Sequence, residues 1–358
     1  MALLYSDGFD LQDTSLRWVV SGTVGDVSHS TATRFGSGKA VTLAGSTVNA
    51  NLSILRGFPA SVSIYAGAAI QVGLESGNSS NDYTANLFGI YTNNGTSGQL
   101  YIRRLSTNAI VAYRGDPNSG NISSPSGTQI ASTAPGVLDG NWHYIEVFAT
   151  IHGTTGQLTV KVNGNTVINF TGNTLNTGVV TTIDAIRFRT GKYIASPNAV
   201  ISIDDFYVCD ATGTTNNTFL GDVRVQSLVP AAAGTYTQLT PTGAANNYAN
   251  AGEVPYNNTT YNASSTVGQR DTYTLSDLAT STVGVLGMQS VAYMQKSDAG
   301  AASAKVALVS GGGLYYDTTQ SLSTSATVYT QVRPTDPATA AAWTVAGANS
   351  LEAGMEVA

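Results

Sequence analysis

Hydrolysis of a glycosidic bond needs two carboxyl groups flanking the scissile bond, commonly from alternate residues of one strand that faces a cleft. The glutamates Glu75, Glu146, Glu253, Glu352 and Glu356 show no Glu-x-Asp-x-x-Glu spacing. The adjacent pair Asp204 and Asp205 would point to opposite faces of a strand. The reading is therefore a chain without catalysis, with a glycan-degrading enzyme as the remaining alternative. Phe35-Gly-Ser-Gly-Lys-Ala40 lacks the Gly-x-x-x-x-Gly-Lys-Ser/Thr spacing of a phosphate loop and no helical pattern follows it, so it reads as a β-turn. His143 beside Trp142 has no Cys or Asp partner at a spacing that builds a triad, and a structural role is expected. With one cysteine, Cys209, and three histidines, neither a disulfide framework nor a thiolate zinc cluster can form.

Tyrosine is the remaining chemical signal. There are 18 Tyr against 9 Phe, and Tyr248, Tyr256, Tyr261 and Tyr273 fall in or beside Gly243 to Val267, a stretch rich in Asn, Ala and Thr that reads as a long exposed loop. A tyrosine ring offers an apolar face and a hydroxyl together. These four are the candidate contacts for a sugar or for a neighbouring subunit. Trp18, Trp142 and Trp343 are expected to anchor cores.

Composition sets the frame for these groups. At 358 residues the chain exceeds what one hydrophobic core usually organises, so two domains are expected. Only 11% of residues are charged, against roughly 25% in soluble domains at large, so solubility rests on uncharged polar groups. The formal net charge of −6 argues against nucleic-acid binding, which requires a basic stripe to neutralise phosphates. No run approaches the ~20 apolar residues of a membrane-spanning helix. The start, Met1-Ala-Leu-Leu-Tyr-Ser-Asp-Gly8, has neither the basic nor the apolar segment of a signal peptide, so synthesis in the cytoplasm is expected.

Short alternating segments bounded by Gly, Asn, Asp and Pro indicate an all-β chain. The clearest hairpin is Leu158 to Phe170, where Asn163-Gly164 suits a type I′ turn and would set Val160 opposite Val167. Leu138 to Val147 reads as a turn and a central strand, and Ile183 to Phe188 and Ile201 to Val208 as two more strands. A polar linker follows, and Val223, Val225 and Val229 then start a second alternating pattern. The division read from this is residues 1–210 and 219–358, each a β-sandwich. Ala302 to Val309 and Ala326 to Val332 are later strands, Ser310-Gly-Gly-Gly-Leu314 a flexible connection, and a helical turn is expected near Trp343.

Arg34-Phe-Gly, Gly140-Asn-Trp-His, Val160-Lys-Val-Asn-Gly164 and Ile203-Asp-Asp-Phe-Tyr-Val208, in that order, resemble a concanavalin A-like (laminin G-like) jelly roll over residues 1–210. With Asn217-Thr-Phe-Leu-Gly-Asp-Val-Arg-Val225, Lys296 to Gly300 and Trp343 to Gly354, the chain is similar to bacteriophage virion proteins that continue into a second β domain. The resemblance implies a structural particle protein: a tail-fibre or tail-tip accessory with host-surface glycan binding, or a capsid decoration protein that reinforces the shell. It implies other virion proteins as partners, a homo-oligomer with a trimer among the options, and a place in the virion. Such jelly rolls often bind Ca²⁺ at the sandwich rim; Asp7, Asp10, Asp139, Asp204 and Asp205 are available, but no compact Asp-x-Asp-x-Asp loop exists and no ligands are assigned. No other cofactor is expected.

Overall fold

A computed structural model describes residues 2–22, 24–44, 51–73, 85–105, 107–116, 127–176, 178, 182–191 and 200–358. Glu75 and most of the loop from Gly191 to Pro197 lie outside them. The chain divides into two compact units, Met1–Asp10 with Arg17–Val225, and Leu11–Leu16 with Gln226–Ala358. The fold is all-β, and each unit is a β-sandwich.

In the first unit the strands are β1 Leu3–Asp7, β2 Val19–Ser21, β3 Val27–Ser30, β4 Ala40–Ala44, β5 Asn51–Ser61, β6 Ser63–Gly73, β7 Ala85–Thr92 and β8 Ser97–Arg104. They continue with β9 Ile110–Arg114, β10 Thr128–Ser132, β11 His143–Thr150, β12 Gly156–Val162, β13 Asn165–Gly172, β14 Ile183–Gly191 and β15 Val200–Asp210. Two antiparallel sheets result, in the orders β13-β12-β11-β6-β15-β4-β3, with β1 also on β15, and β10-β9-β8-β7-β14-β5-β2. This is the jelly-roll sandwich. Alternation explains its core, because successive side chains of a strand point to opposite faces. Leu100 and Ile102 of β8, Ile186 and Phe188 of β14, Ile145 and Val147 of β11, and Ile201 and Ile203 of β15 meet between the sheets. The residues between them in sequence face outward.

The Asn163-Gly164 turn has φ of 49° and 81°, as a type I′ turn requires. The expected pairing of Val160 with Val167 is corrected, however: Val160 faces Ile168, because a bulge absorbs one residue after Lys161 pairs with Thr166. Cys209 is fully buried at the end of β15.

The second unit contains β16 Pro230–Thr237, β17 Thr240–Thr242, β18 Tyr261–Ala263, β19 Arg270–Leu275, β20 Met288–Met294, β21 Ser303–Ser310, β22 Gly313–Tyr316, β23 Gln320–Ser321, β24 Thr327–Arg333 and β25 Glu352–Val357. One sheet runs β16-β19-β25-β21-β22 with β23 on β21, and β17–β18 and β20–β24 form two-stranded ribbons. Val306 and Leu308 of β21 pack with Trp343 and Leu351, and Met288 and Ala292 of the β20–β24 ribbon close over them. Ser310 to Leu314 is a tight hairpin, with φ of 57° at Gly311 and 79° at Gly312, rather than a flexible connection. The helical turn near Trp343 is Val345–Asn349, capped by the Thr344 hydroxyl, which accepts the Gly347 N–H.

Two expectations fail here for one physical reason. The alternating Val223, Val225 and Val229 form no strand, and Gly243 to Val267 is not a plain exposed loop. In both, side chains take the place of a ladder in satisfying the backbone. Asn247–Ala251 is helical, Asn247 donates to the Leu239 carbonyl (2.8 Å), Asn250 to the Tyr261 carbonyl (3.0 Å) and Asn262 to the Asn247 carbonyl (2.8 Å).

Candidate functional site

The outer face of the β10-to-β2 sheet carries an unusual set of side chains. Register builds it in cross-strand rows. Arg189 of β14 pairs with Ser53 of β5 and with Asn86 of β7, Asn86 pairs with Arg103 of β8, and Arg103 with Val111 of β9. The next row outward runs Leu55, Arg187, Gly89, Tyr101 and Tyr113. Neighbouring strands lie about 4.8 Å apart, so these side chains are in mutual reach. Leu55, Tyr91, Tyr101, Val111, Tyr113 and Ala185 form an apolar cluster on this face, separate from the core between the sheets.

Two glycines make the arrangement fit. A Cβ at Gly89 would lie 2.9 Å from the Tyr91 ring, and one at Gly98 would lie 1.8 Å from the Tyr101 hydroxyl. Without them the rings could not settle into the rows. The Tyr101 hydroxyl donates to that of Tyr91 (2.8 Å), which also accepts from Arg187 (3.0 Å), whose guanidinium lies 4.3 Å over the Tyr91 ring. Burial, then Tyr91 and Asp116, raise the Tyr101 pKa far above its ordinary range, so this hydroxyl stays a hydrogen-bond donor at neutral pH.

The polar groups are unequally satisfied. Arg189 forms an ion pair with Asp116 at 3.0 Å. Arg103 has the Tyr113 ring 5.6 Å away, but among the described residues its Nε and Nη2 have no hydrogen-bond partner, nor does Nε of Arg187, nor either amide atom of Asn86. Asn86 is 1% and Arg103 2% exposed. Burial lowers the Arg103 pKa to about 10, which still leaves it charged at neutral pH. A buried donor without a partner forfeits its hydration and regains nothing. These groups therefore call for an acceptor from outside the sheet.

Sequence reasoning missed this face. Gln99-Leu-Tyr-Ile-Arg103 and Ile186-Arg-Phe-Arg189 alternate core residues with Arg or Tyr, in a chain with only 16 Lys and Arg. That alternation was the available signal.

The outer face of the opposite sheet is closed by the chain itself. Phe219 to Val225 runs across it without forming a strand. The Phe219 ring sits edge-on to Tyr65 (5.0 Å) under Lys161 (4.1 Å). The Leu220 N–H donates to the Tyr207 hydroxyl (3.1 Å), and Glu146 Oε1 accepts from both Gly221 N–H (2.8 Å) and Tyr207 (2.6 Å). The Val225 N–H donates to Asp205 (2.7 Å), and Arg34 pairs with Asp222 and lies 3.7 Å from Asp205. This accounts for Glu146, Asp204 and Asp205. The last two do not sit on opposite faces as an even strand would have them, because β15 bulges between Asp204 and Tyr207 and Asp205 takes a φ of 51°. Burial pushes both carboxyls up; repulsion from Asp205 adds to this for Asp204, while the Val225 N–H and Arg34 pull Asp205 back.

The other acids considered for Ca²⁺ are dispersed. Asp7 accepts from Tyr5, Phe9 N–H and Trp18 and pairs with Arg17 at 2.9 Å. Asp10 accepts from Lys39 N–H, and Asp139 holds its own turn through Asn141 and His143. Among the described residues no group of three or more His, Cys, Asp or Glu is placed to hold a metal ion. His143 bridges Asp139 (2.8 Å) and Asn163 (3.1 Å), a structural clamp.

The four candidate tyrosines belong to the second unit and differ in kind. Tyr261 is 48% exposed; Tyr248 is half-buried on the Asn247–Ala251 helix. Tyr256 is half-buried and stacks parallel on Tyr293 with centroids 4.4 Å apart. Tyr273 is buried, with its hydroxyl donating to Asp271 and accepting from Asn262, both at 2.9 Å, so it is corrected to a core residue.

No family model and no curated protein matches the sequence. Solved structures do match in fold. A sialidase is similar at 14% identity and a TM-score of 0.37 over 57% of this chain, which spans only 18% of that protein. Alginate lyase Aly36B in complex with alginate tetrasaccharide is similar at 13% identity and a TM-score of 0.40, covering 58% of this chain and 92% of that one. The carbohydrate recognition domain of Emp46p, in its potassium-bound form, is similar at 10% identity and a TM-score of 0.37, covering 57% and 92%. These likenesses concern the fold. They also correct the expectation of a chain without catalysis, since a sialidase and an alginate lyase stand among the neighbours. The missing Glu-x-Asp-x-x-Glu spacing speaks to one pattern of hydrolysis, not to catalysis at large. Among the described residues no helix is long and apolar enough to cross a membrane.

Proposed function

We propose that the chain recognises carbohydrate on the outer face of the β10-to-β2 sheet of its first unit. The observation that carries this reading is the company of three tyrosines, Tyr91, Tyr101 and Tyr113, with amide and guanidinium atoms that have no hydrogen-bond partner among the described residues. Sugars present apolar ring faces and many hydroxyls, so aromatic rings beside fixed donors and acceptors suit them. A glycan array with the full chain tests it. Binding of a defined glycan class is expected, together with its loss in Tyr113→Ala at unchanged circular dichroism; an array without binding, or binding indifferent to Tyr113, refutes it. Product analysis of the bound glycan measures turnover in the same preparation.

A second reading, that this recognition serves a bacteriophage particle, is supported by the ordered motifs from Arg34-Phe-Gly to Trp343 to Gly354. In it the exposed Tyr261 and the half-buried Tyr248 and Tyr256 of the second unit would contact a neighbouring virion subunit. Density for the chain at the tail tip of an intact particle supports host attachment, density on the capsid supports decoration, and absence from purified particles refutes the reading.

A further inference from the structure

We propose that Asn94 and Asn163 are deamidation sites of this chain and that the fold holds each of them shut, Asn94 through the attacking nitrogen and Asn163 through the amide under attack. The inference is independent of the carbohydrate reading. An Asn followed by Gly is the pair in which the next backbone nitrogen most easily reaches the side-chain amide carbon, because glycine has no Cβ to obstruct the approach. The sequence holds this pair twice, at Asn94-Gly95 and Asn163-Gly164. Both asparagines are exposed, in the β7–β8 and β12–β13 turns, with positive φ of 54° and 49°. In the reaction the glycine nitrogen bonds to the Asn Cγ, and its proton leaves with the side-chain Nδ2 as ammonia. Water then opens the cyclic imide to Asp or to isoAsp.

At Asn163 the amide is the part that is held. The Tyr144 N–H can only donate, so the atom 2.9 Å from it is Oδ1, and Nδ2 faces His143 Nδ1 at 3.1 Å. His143 Nδ1 must then accept, and the imidazole carries its proton on Nε2, which donates to Asp139 Oδ1 at 2.8 Å. The Asp139 N–H also lies 3.4 Å from Nε2, a longer and uncharged contact that yields to the carboxylate. The Asn163 Cγ cannot swing onto the Gly164 nitrogen without breaking both side-chain bonds. At Asn94 the attacking nitrogen is held instead. Asp184 accepts the Asn94 N–H at 2.7 Å and the Gly95 N–H at 3.1 Å. Gly95 is buried, and a Cβ there would lie 2.9 Å from Leu55. Its nitrogen cannot turn toward the Asn94 side chain while the carboxylate keeps its hydrogen. Either product would matter. An isoAsp adds a carbon to the main chain of a hairpin, at Asn94 the one that carries Tyr91 and Tyr101, and an Asp at 163 would take the donor away from His143.

The test incubates the full chain in mildly alkaline buffer, folded and unfolded in guanidinium chloride, and follows each site by peptide mapping, mass spectrometry and isoaspartyl methylation. Both asparagines are expected to lose ammonia about tenfold or more slowly in the folded chain, the factor that two hydrogen bonds of ordinary strength supply. Asp184→Ala should speed the reaction at Asn94 severalfold and leave Asn163 as it was. His143→Ala should do the reverse. Each site is thus the other's control for general loosening of the fold, and the comparison of folded with unfolded unaltered chain decides the matter where a variant fails to fold. Equal rates in the folded and unfolded chain overturn the proposal, as do variants that speed both sites together or neither.

Discussion

Replacing Asp204 with Asn is expected to stabilise the first unit at pH 8 and to leave it nearly unchanged at pH 4. Asp204 is 6% exposed, and its Oδ1 accepts the Asp205 N–H at 2.8 Å, an interaction that an Asn oxygen retains. Burial, then repulsion from Asp205, pushes the Asp204 carboxyl up to about 8, and burial pushes Asp205 up to about 6. In the unfolded chain both would titrate near 3.9, the usual value for about any exposed Asp. The native state therefore holds more protons than the unfolded state from pH ~4 upward. Its stability is full below that range and falls as the pH rises through the folded values. At about 1.4 kcal/mol per pKa unit, ionising Asp204 at pH 8 has an upper bound of about 5 kcal/mol. Attraction to Arg34 and relaxation around the pair reduce this, and a gain of about 2 to 3 kcal/mol for Asp204→Asn at pH 8 is expected. Urea unfolding at pH 4, 6 and 8, read by Trp18 and Trp142 in a Trp343→Phe background, measures it. A flat profile for the unaltered chain, or equal stability of the two proteins at pH 8, would show that Asp204 ionises freely in the fold and that the electrostatic reasoning is wrong.

Further outcomes follow from the same contacts. Gly164→Val should lower stability by about 1 to 3 kcal/mol, through positive φ alone, since a Cβ there meets nothing within 4 Å; an unchanged melting temperature would contradict the turn. A chain ending at Val225 should melt well above one ending at Asp210, because the shorter chain removes the Leu220, Gly221 and Val225 N–H donors from Tyr207, Glu146 and Asp205; equal melting would place the end of the folded unit at Asp210. Tyr273→Phe should cost about 1 to 2 kcal/mol by leaving Asp271 and Asn262 short of a partner. Tyr261→Ala, at an exposed position, should leave stability within about 0.5 kcal/mol while weakening any contact made by that surface.

Most of the first sandwich was legible because its strands follow the period-two rule. Ile183 to Phe188 and Ile201 to Val208 emerge as β14 and β15, and β11 runs centrally between β6 and β12, as its large side chains on both faces suggest. Register was less legible, since one bulge moves every later pair, as at Val160 and Ile168. The bulge at Asp204 and Asp205 likewise defeats an alternation rule that assumes an even strand. Gly243 to Val267 misled for another reason. Its asparagines look like solvent-facing loop residues, yet Asn247 and Asn250 are buried and hold carbonyls that a strand would otherwise satisfy. Clustering along the chain does not reveal the polar face of the β10-to-β2 sheet. Asn86, Arg103 and Arg189 are far apart in sequence and meet only through strand pairing.

The two outer faces of the first unit differ in what completes them. On the β13-to-β3 sheet each inward-drawn carboxylate has an intramolecular donor. Glu146 receives Gly221 and Tyr207, and Asp205 receives Val225, so the Phe219 to Val225 segment acts as the ligand of that face. On the β10-to-β2 sheet no described segment does the same for Arg103 and Asn86. Both faces are built by the same device, a strand that alternates core residues with charged or aromatic ones, and both draw charge out of water. Among the described residues only the first offsets part of the lost hydration through its own segment. Arg103 and Asn86 thus keep buried polar atoms without a hydrogen bond among the described residues, and carry the cost of lost hydration that the other face offsets in part.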